Sequence, residues 1–137
     1  MVDVYNKQIR SILELAVPVW QAGLTKQESN QIERVQRTAF HIILGENYLY
    51  YENALNQLKC DRLSGRRLKL CENFAKKAVR HEQFRNWFRE NTERLPIMNT
   101  RYSKVKSKYH EVLTRTERFK KSPIPYLTSL LNNLADK

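Results

Sequence analysis

Residues 25–45 read TKQESNQIERVQRTAFHIILG, and this stretch decides the fold. Thr25 and Glu28 form a capping-box pattern, in which a hydroxyl accepts a first-turn backbone N–H and a carboxylate reaches back to the cap. Ile32, Val35, Ala39 and Ile42 or Ile43 then recur at helical spacing. Gly45 stands where a helix commonly ends in a left-handed residue. An amphipathic helix of this kind must bury its apolar stripe against other elements, so the neighbouring segments should supply further helices.

On the N-terminal side, Tyr5, Ile9, Ile12 and Ala16 fall on one helical face, with Asp3 as a candidate N-cap. Pro18 should stop or kink that helix near Val17, and Val19 and Trp20 should turn a buried corner. On the C-terminal side, YENALNQL (51–58) reads as a short helix with Ala54, Leu55 and Leu58 inward. A third long helix is expected from about Leu63 to Arg80, with Leu70, Cys71, Phe74, Ala75 and Ala78 on its apolar side. EQFRNWF (82–88) adds Phe84, Trp87 and Phe88 as a turn packing back, and Trp20, Trp87 and Phe88 are expected in the core.

Residues 92–100, with Pro96, read as a linker. Residues 101–121 fit helix through Val105, Tyr109 and Val112, or extended chain through the Thr-rich VLTRT, and both alternatives stand. Pro123 and Pro125 bound a corner before a last amphipathic helix through Tyr126, Leu127, Leu130, Leu131 and Leu134. The expected fold is all-α: a small helical bundle of about four or five helices with a basic, partly extended C-terminal segment. The expected division is a helical domain over 1–90 and a basic extension over 91–137.

Charge narrows the function. The 137 residues hold 25 Lys and Arg against 14 Asp and Glu, a net charge of +11. Residues 1–60 carry 6 basic and 6 acidic residues, whereas 61–137 carry 19 and 8, so the whole excess lies in the second part. Segregation of this kind points to a polyanion-facing surface. Arg62, Arg66, Lys69, Lys76 and Arg80 fall in one sector of the third helix, with Arg67 and Lys77 completing a first phosphate-facing set. Arg101, Lys104, Lys106, Lys108, Arg115, Arg118, Lys120 and Lys121 form a second set, interleaved with Tyr102, Tyr109 and Phe119.

Other classes fare worse. No apolar run reaches the ~18 residues of a membrane-spanning helix, and the basic helix carries Ala and Cys where an interfacial helix carries large apolar side chains. The N-terminus is not that of a secretory signal, and Cys60 and Cys71 are too few for a disulfide framework, so reduced thiols and an intracellular location, nuclear or cytoplasmic, are expected. Asp3, Asp61 and Asp136 are the only aspartates, which argues against clustered carboxylates for two-metal chemistry. Gly23, Gly45 and Gly65 make no phosphate-cradling loop. A zinc site from Cys60, Cys71, His81 and His110 lacks the short ligand spacing of such sites. No catalytic residue, metal or cofactor is expected.

Taken in order, several segments resemble one family. RSILELAVPVW resembles the R-S-x-L-E-Y-A-x-P-V-W stretch that follows the catalytic palm in reverse transcriptases of jockey-like non-LTR retrotransposons. IERVQRTAFHIILG is similar to that family's next helix, and YENAL, RRLKLCENFAKK and RTERFKKSPIPYLTSLLN continue in the same order, over about residues 5 to 133. The resemblance is to the thumb and post-thumb region, without the palm and its Tyr/Phe-Ala-Asp-Asp motif. It implies a non-catalytic module that grips an RNA template or primer–template duplex by its backbone. Leu15 stands where an aromatic is common in the family, and Ser64 and Gly65 where acidic residues often open the helix. A protein–protein or homodimer module is the alternative, using apolar surface such as Val17, Val19 or Trp20 that would face the missing palm.

Overall fold

The computed structural model describes residues 1–91 and 107–135, and among them every regular element is helical. Two compact units form, Met1–Leu70 and Cys71–Lys137. This division differs from the expected 90/91 boundary. The chain at Lys108–His110 pairs with Arg89–Asn91, which ties the extension to the segment before it.

In the first unit, α1 spans 2–13 in three continuous pieces: α-helical Val2–Val4, π-helical Tyr5–Arg10 and α-helical Ser11–Leu13. The wider i→i+5 turn rotates the register of the residues after it. Tyr5 is therefore buried, while Ile9 and Ile12 are 38% and 71% exposed and do not share its face, contrary to the α-helical reading. Ala16 then takes the left-handed region at φ 52 and ψ 28. Next comes α2 (Val17–Trp20), which accommodates Pro18 in its first turn, where no N–H is needed. Val17 is fully buried and Val19 exposed. Trp20 is half-buried and its indole N–H donates to the Leu15 carbonyl at 2.7 Å.

The capping box forms as read: Glu28 N donates to Thr25 Oγ1 at 3.2 Å and Thr25 N to Glu28 Oε2 at 2.8 Å. It opens α3 (Lys26–Leu44), which ends at Gly45 with φ 52 and ψ −122, a region that L side chains avoid. The buried face is rotated from the expected one. Gln36, Ala39 and Phe40 point in, and Val35 and Ile42 point out. Gln36 holds its core position by donating from Nε2 to the Asp61 carbonyl at 3.1 Å.

The next helix, α4 (Tyr51–Gln57), closes with the double bond of a Schellman end: Cys60 N–H to Leu55 C=O at 2.9 Å and Lys59 N–H to Asn56 C=O at 3.2 Å. Tyr5, Ala39, Phe40, Tyr51, Ala54 and Leu55 make the core of this unit, with Tyr5 edge-on to Phe40 at 5.2 Å. Burial raises the pKa of both core phenols, and for Tyr51 the hydrogen bond to Glu33 adds to it.

The unit boundary falls inside α5 (Leu63–Arg80). Its first turn contains no acidic residue, and α3 supplies one instead. Glu33 accepts from Leu63 N at 3.3 Å and Ser64 N at 3.2 Å, and also from the Tyr51 hydroxyl at 2.5 Å. A carboxylate thus sits on the free N–H groups and positive dipole end of α5, where the sequence has only Ser64 and Gly65.

In the second unit, Cys71, Ala75 and Ala78 are the buried positions of α5, and Phe74 is only half-buried. A short α6 (Glu82–Arg85) follows, capped by the His81 imidazole, whose Nδ1 accepts from Gln83 N at 3.4 Å. Phe88 is buried, whereas Trp87 is 42% exposed and not a core residue. Residues 107–110 are not helical, and Tyr109 sits in an isolated bridge, so a helix does not run through this part of the basic segment. Asn91 N donates to Lys108 O and His110 N to Arg89 O, both at 2.9 Å, around a Glu90–Tyr109 bridge.

The helix α7 (Glu117–Lys120) is capped by Thr116, and α8 (Pro123–Ala135) takes both prolines into its first turn instead of a preceding corner. Leu127 and Leu131 are buried on α8, as expected. Asn132 is buried as well. Its side-chain amide pairs with the Tyr109 peptide, accepting from Tyr109 N at 2.9 Å and donating to Tyr109 O at 3.1 Å.

Candidate nucleic-acid interface

The first-unit members of the first basic set are engaged by the fold. Arg67 is fully buried; its Nε donates to Gln21 Oε1 at 3.0 Å and its Nη2 to Ser29 Oγ at 2.6 Å. It follows Leu63 by four residues on the inward face of α5, so it faces protein and not phosphate, which corrects the sequence reading. Arg66 makes a forked pair with Glu14, Nε–Oε1 at 2.5 Å and Nη2–Oε2 at 3.1 Å, and that bond raises the guanidinium pKa. Arg62 pairs with Glu52. Lys69 pairs with Asp61 at 3.1 Å. Arg62, Arg66 and Lys69 are thus paired with carboxylates of their own unit, and Arg67 with neutral acceptors.

The second unit is different. Lys76, Lys77 and Arg80 lie on the last turns of α5 and have no carboxylate within 4.0 Å among the described residues. Lys76 and Arg80 stand one helical turn apart and line a groove of about 320 Å³ with Val79, Glu90, Lys108, Tyr109 and the end of α8. The backbone at 107–110 places Lys108 there, its ammonium 5.5 Å from the centre of the Tyr109 ring. Val79 and Glu90 also line an adjoining groove of about 660 Å³ with Arg85, Asn86, Phe88, Arg89 and His110. Among the described residues the two grooves together present Lys76, Arg80, Arg85, Arg89 and Lys108 against one carboxylate, Glu90. That surplus makes a locally positive surface, flanked by the apolar side chains of Val79 and Phe88 and the ring of Tyr109.

Of the second basic set, Lys108 joins this surface. Arg115, Arg118, Lys120 and Lys121 are exposed at and before α7, where Lys120 lies 3.9 Å from Glu117. Arg101, Lys104 and Lys106 lie outside the described residues, as does Tyr102. Tyr109 is buried and packs, while Phe119 is 44% exposed. Arg85, Arg89 and His110 are lining residues that the sequence reading did not select. Arg85 and Arg89 are spaced four apart, but they are interleaved with Phe84, Trp87 and Phe88, and the aromatic residues dominated the reading.

Among the described residues no three His, Cys, Asp or Glu side chains are grouped as metal ligands, and no helix is long and apolar enough to cross a membrane. Burial pushes the Cys60 thiol up, away from the reactive thiolate. The chain matches no family model, no curated protein and no solved structure.

Proposed function

We propose that this protein is a non-catalytic nucleic-acid-binding module that grips the phosphate backbone of RNA, DNA or a hybrid duplex through its second unit. One observation carries the reading. The cations of the first unit that the sequence singled out are each held by an acceptor of that unit, while Lys76, Arg80, Arg85, Arg89 and Lys108 converge on two adjoining grooves with Glu90 as the single lining carboxylate among the described residues. Cations with no carboxylate within 4.0 Å among the described residues are free to replace the counterions of a phosphate strand. The resemblance to the post-palm region of jockey-like reverse transcriptases supports the same reading and accounts for the lack of clustered polymerase carboxylates.

The test is fluorescence anisotropy with labelled single-stranded RNA, duplex DNA and an RNA–DNA hybrid over a series of salt concentrations. The expected result is binding whose log K falls linearly with log salt, with a slope equivalent to about 4–5 neutralised phosphates. Weak, salt-insensitive binding to all three would refute it. A second reading, self-association, is favoured by Ile12, Leu15 and Val19 of the first unit, which are 71%, 72% and 64% exposed. A mass that doubles with concentration and returns to one chain in Ile12→Asp would select it. Val17, fully buried, takes no part.

A further inference from the structure

The stretch of chain that supplies Arg85 also carries a row of rings that the fold leaves at least partly exposed. His81 and Phe84 have centroids 5.2 Å apart, and Phe84 and Trp87 4.8 Å apart, tilted by 55°. Phe84 is half-buried beneath, and Trp87 at the end of the row is 42% exposed. The backbone around Trp87 is fixed on both sides. Tight i→i+3 bonds carry the chain out of α6, from Trp87 N to Phe84 O at 3.0 Å and from Phe88 N to Arg85 O at 3.1 Å. Phe88 is then anchored in the core at 3% exposure, and the Glu90–Tyr109 bridge follows two residues later. The indole is thus held out on a supported turn; in sequence it lies midway between Arg85 and Arg89, which line the larger groove with Asn86 and Phe88, while Trp87 itself stands outside that lining.

A large ring kept in water, two residues along the chain from each of two guanidinium groups that have no carboxylate within 4.0 Å among the described residues, fits one ligand chemistry: an unstacked base on a phosphate strand. Base–aromatic stacking tolerates any base, because every base has a π-face. A duplex covers those faces within its stack and offers only its backbone and the base edges in its grooves. We propose that Trp87, backed by Phe84, is a stacking platform and that the surface formed by Arg80, Arg85, Arg89 and Lys108 binds single-stranded nucleic acid in preference to duplex. This deepens the backbone grip proposed above and rests on it.

The test compares anisotropy titrations with labelled oligothymidylate and with duplex DNA of the same length. The proteins are the full chain and its Trp87→Leu, Trp87→Ala and Trp87→Phe variants, each checked for helicity by circular dichroism. Trp87→Leu keeps apolar bulk without a ring, and Trp87→Phe keeps a smaller ring. The full chain is expected to bind the single strand more tightly. Trp87→Leu and Trp87→Ala should lose about 5- to 100-fold in single-strand affinity, with the salt slope and duplex affinity unchanged, and Trp87→Phe should recover most of the loss. Single-strand affinity unchanged in Trp87→Leu, equal weakening toward both ligands, or a full chain that prefers duplex would overturn the platform while leaving the backbone grip standing. A full chain that binds neither ligand would overturn both.

Discussion

Replacing Asn132 tests how the fold assembles its basic surface. Its amide is buried at 6% exposure and substitutes for a neighbouring strand, accepting from Tyr109 N and donating to Tyr109 O. Asn132→Ala removes both bonds. The Tyr109 N–H is then left buried without an acceptor, at about 1–3 kcal/mol. The Tyr109 carbonyl keeps the Ser107 hydroxyl at 3.0 Å and loses only its second donor, at about 1 kcal/mol. The segment 107–110 should therefore be destabilised by about 2–4 kcal/mol, which raises its local opening constant roughly 30- to 700-fold. Because Lys108 is positioned by that segment, phosphate affinity should fall with it. The assay is native-state amide exchange at Tyr109, His110 and Asn91. Asn132→Leu keeps the volume but neither hydrogen bond and should behave like Asn132→Ala. Wild-type protection at Tyr109 in either variant would refute the reasoning, since packing alone would then hold the segment.

Other expectations concern the first unit. Lys59 adopts φ 51 at the position of the α4 Schellman end where glycine is usual, so Lys59→Gly should stabilise by up to ~1 kcal/mol, and Gly45→Ala, at φ 52, should destabilise by about 1–3 kcal/mol, both read from urea unfolding midpoints. The opposite sign for either would contradict the backbone assignments. Arg67→Ala should cost about 3 kcal/mol or more, because it empties a core position and leaves Gln21 and Ser29 without their donor; a change near zero would mean that Arg67 is a surface residue after all. The Thr25 N–H, and then its hydroxyl, hold Glu28 below the usual carboxylate range. The folded pKa being the lower one, this contribution is full above the unfolded value near ~4.3 and fades as pH falls through the folded value. Thr25→Ala should cost about 1 kcal/mol at neutral pH, and Glu28→Gln, which removes the titrating group, should flatten the acid limb of the stability profile; an unchanged acid limb in Glu28→Gln would show that the capping box does not carry it.

The parts of the fold that local chemistry dictates were legible in the residues. Thr25, Glu28 and Gly45 mark both ends of α3, and Leu127 and Leu131 mark the inner face of α8, because caps and periodicity act within a few residues. The features that were not legible depend on partners far away in sequence. Glu33 opens α5 from 30 residues upstream, so the bare Ser64–Gly65 turn looked undercapped. Arg67 sits in line with Leu63 and Cys71 on the inward face, yet a charged residue reads as solvent-facing; acceptors such as Gln21 and Ser29, supplied by other segments, help to make its burial tolerable. Ile12 fell on the Tyr5 face under α-helical spacing, and the π-helical turn between them breaks that register. The candidate site shows the same limit. The helix stripe was visible as a charge pattern, but pairing by Glu14, Glu52 and Asp61 removes its first half from play, and the Asn132–Tyr109 pairing that helps to place Lys108 spans 23 residues.

The central claim is that charge placed without internal partners, and not charge as such, makes the binding surface. Two double variants remove the same charge: Lys76→Gln with Arg80→Gln in the groove of the second unit, and Arg62→Gln with Lys69→Gln at paired positions of the first. The measurement is the slope of log K against log salt for duplex DNA in each. The groove variant should lose about 2 in slope, with a clear fall in affinity, and the paired-position variant should keep both close to the unmodified chain. Equal losses in the two variants, or none in the groove variant, would contradict the account.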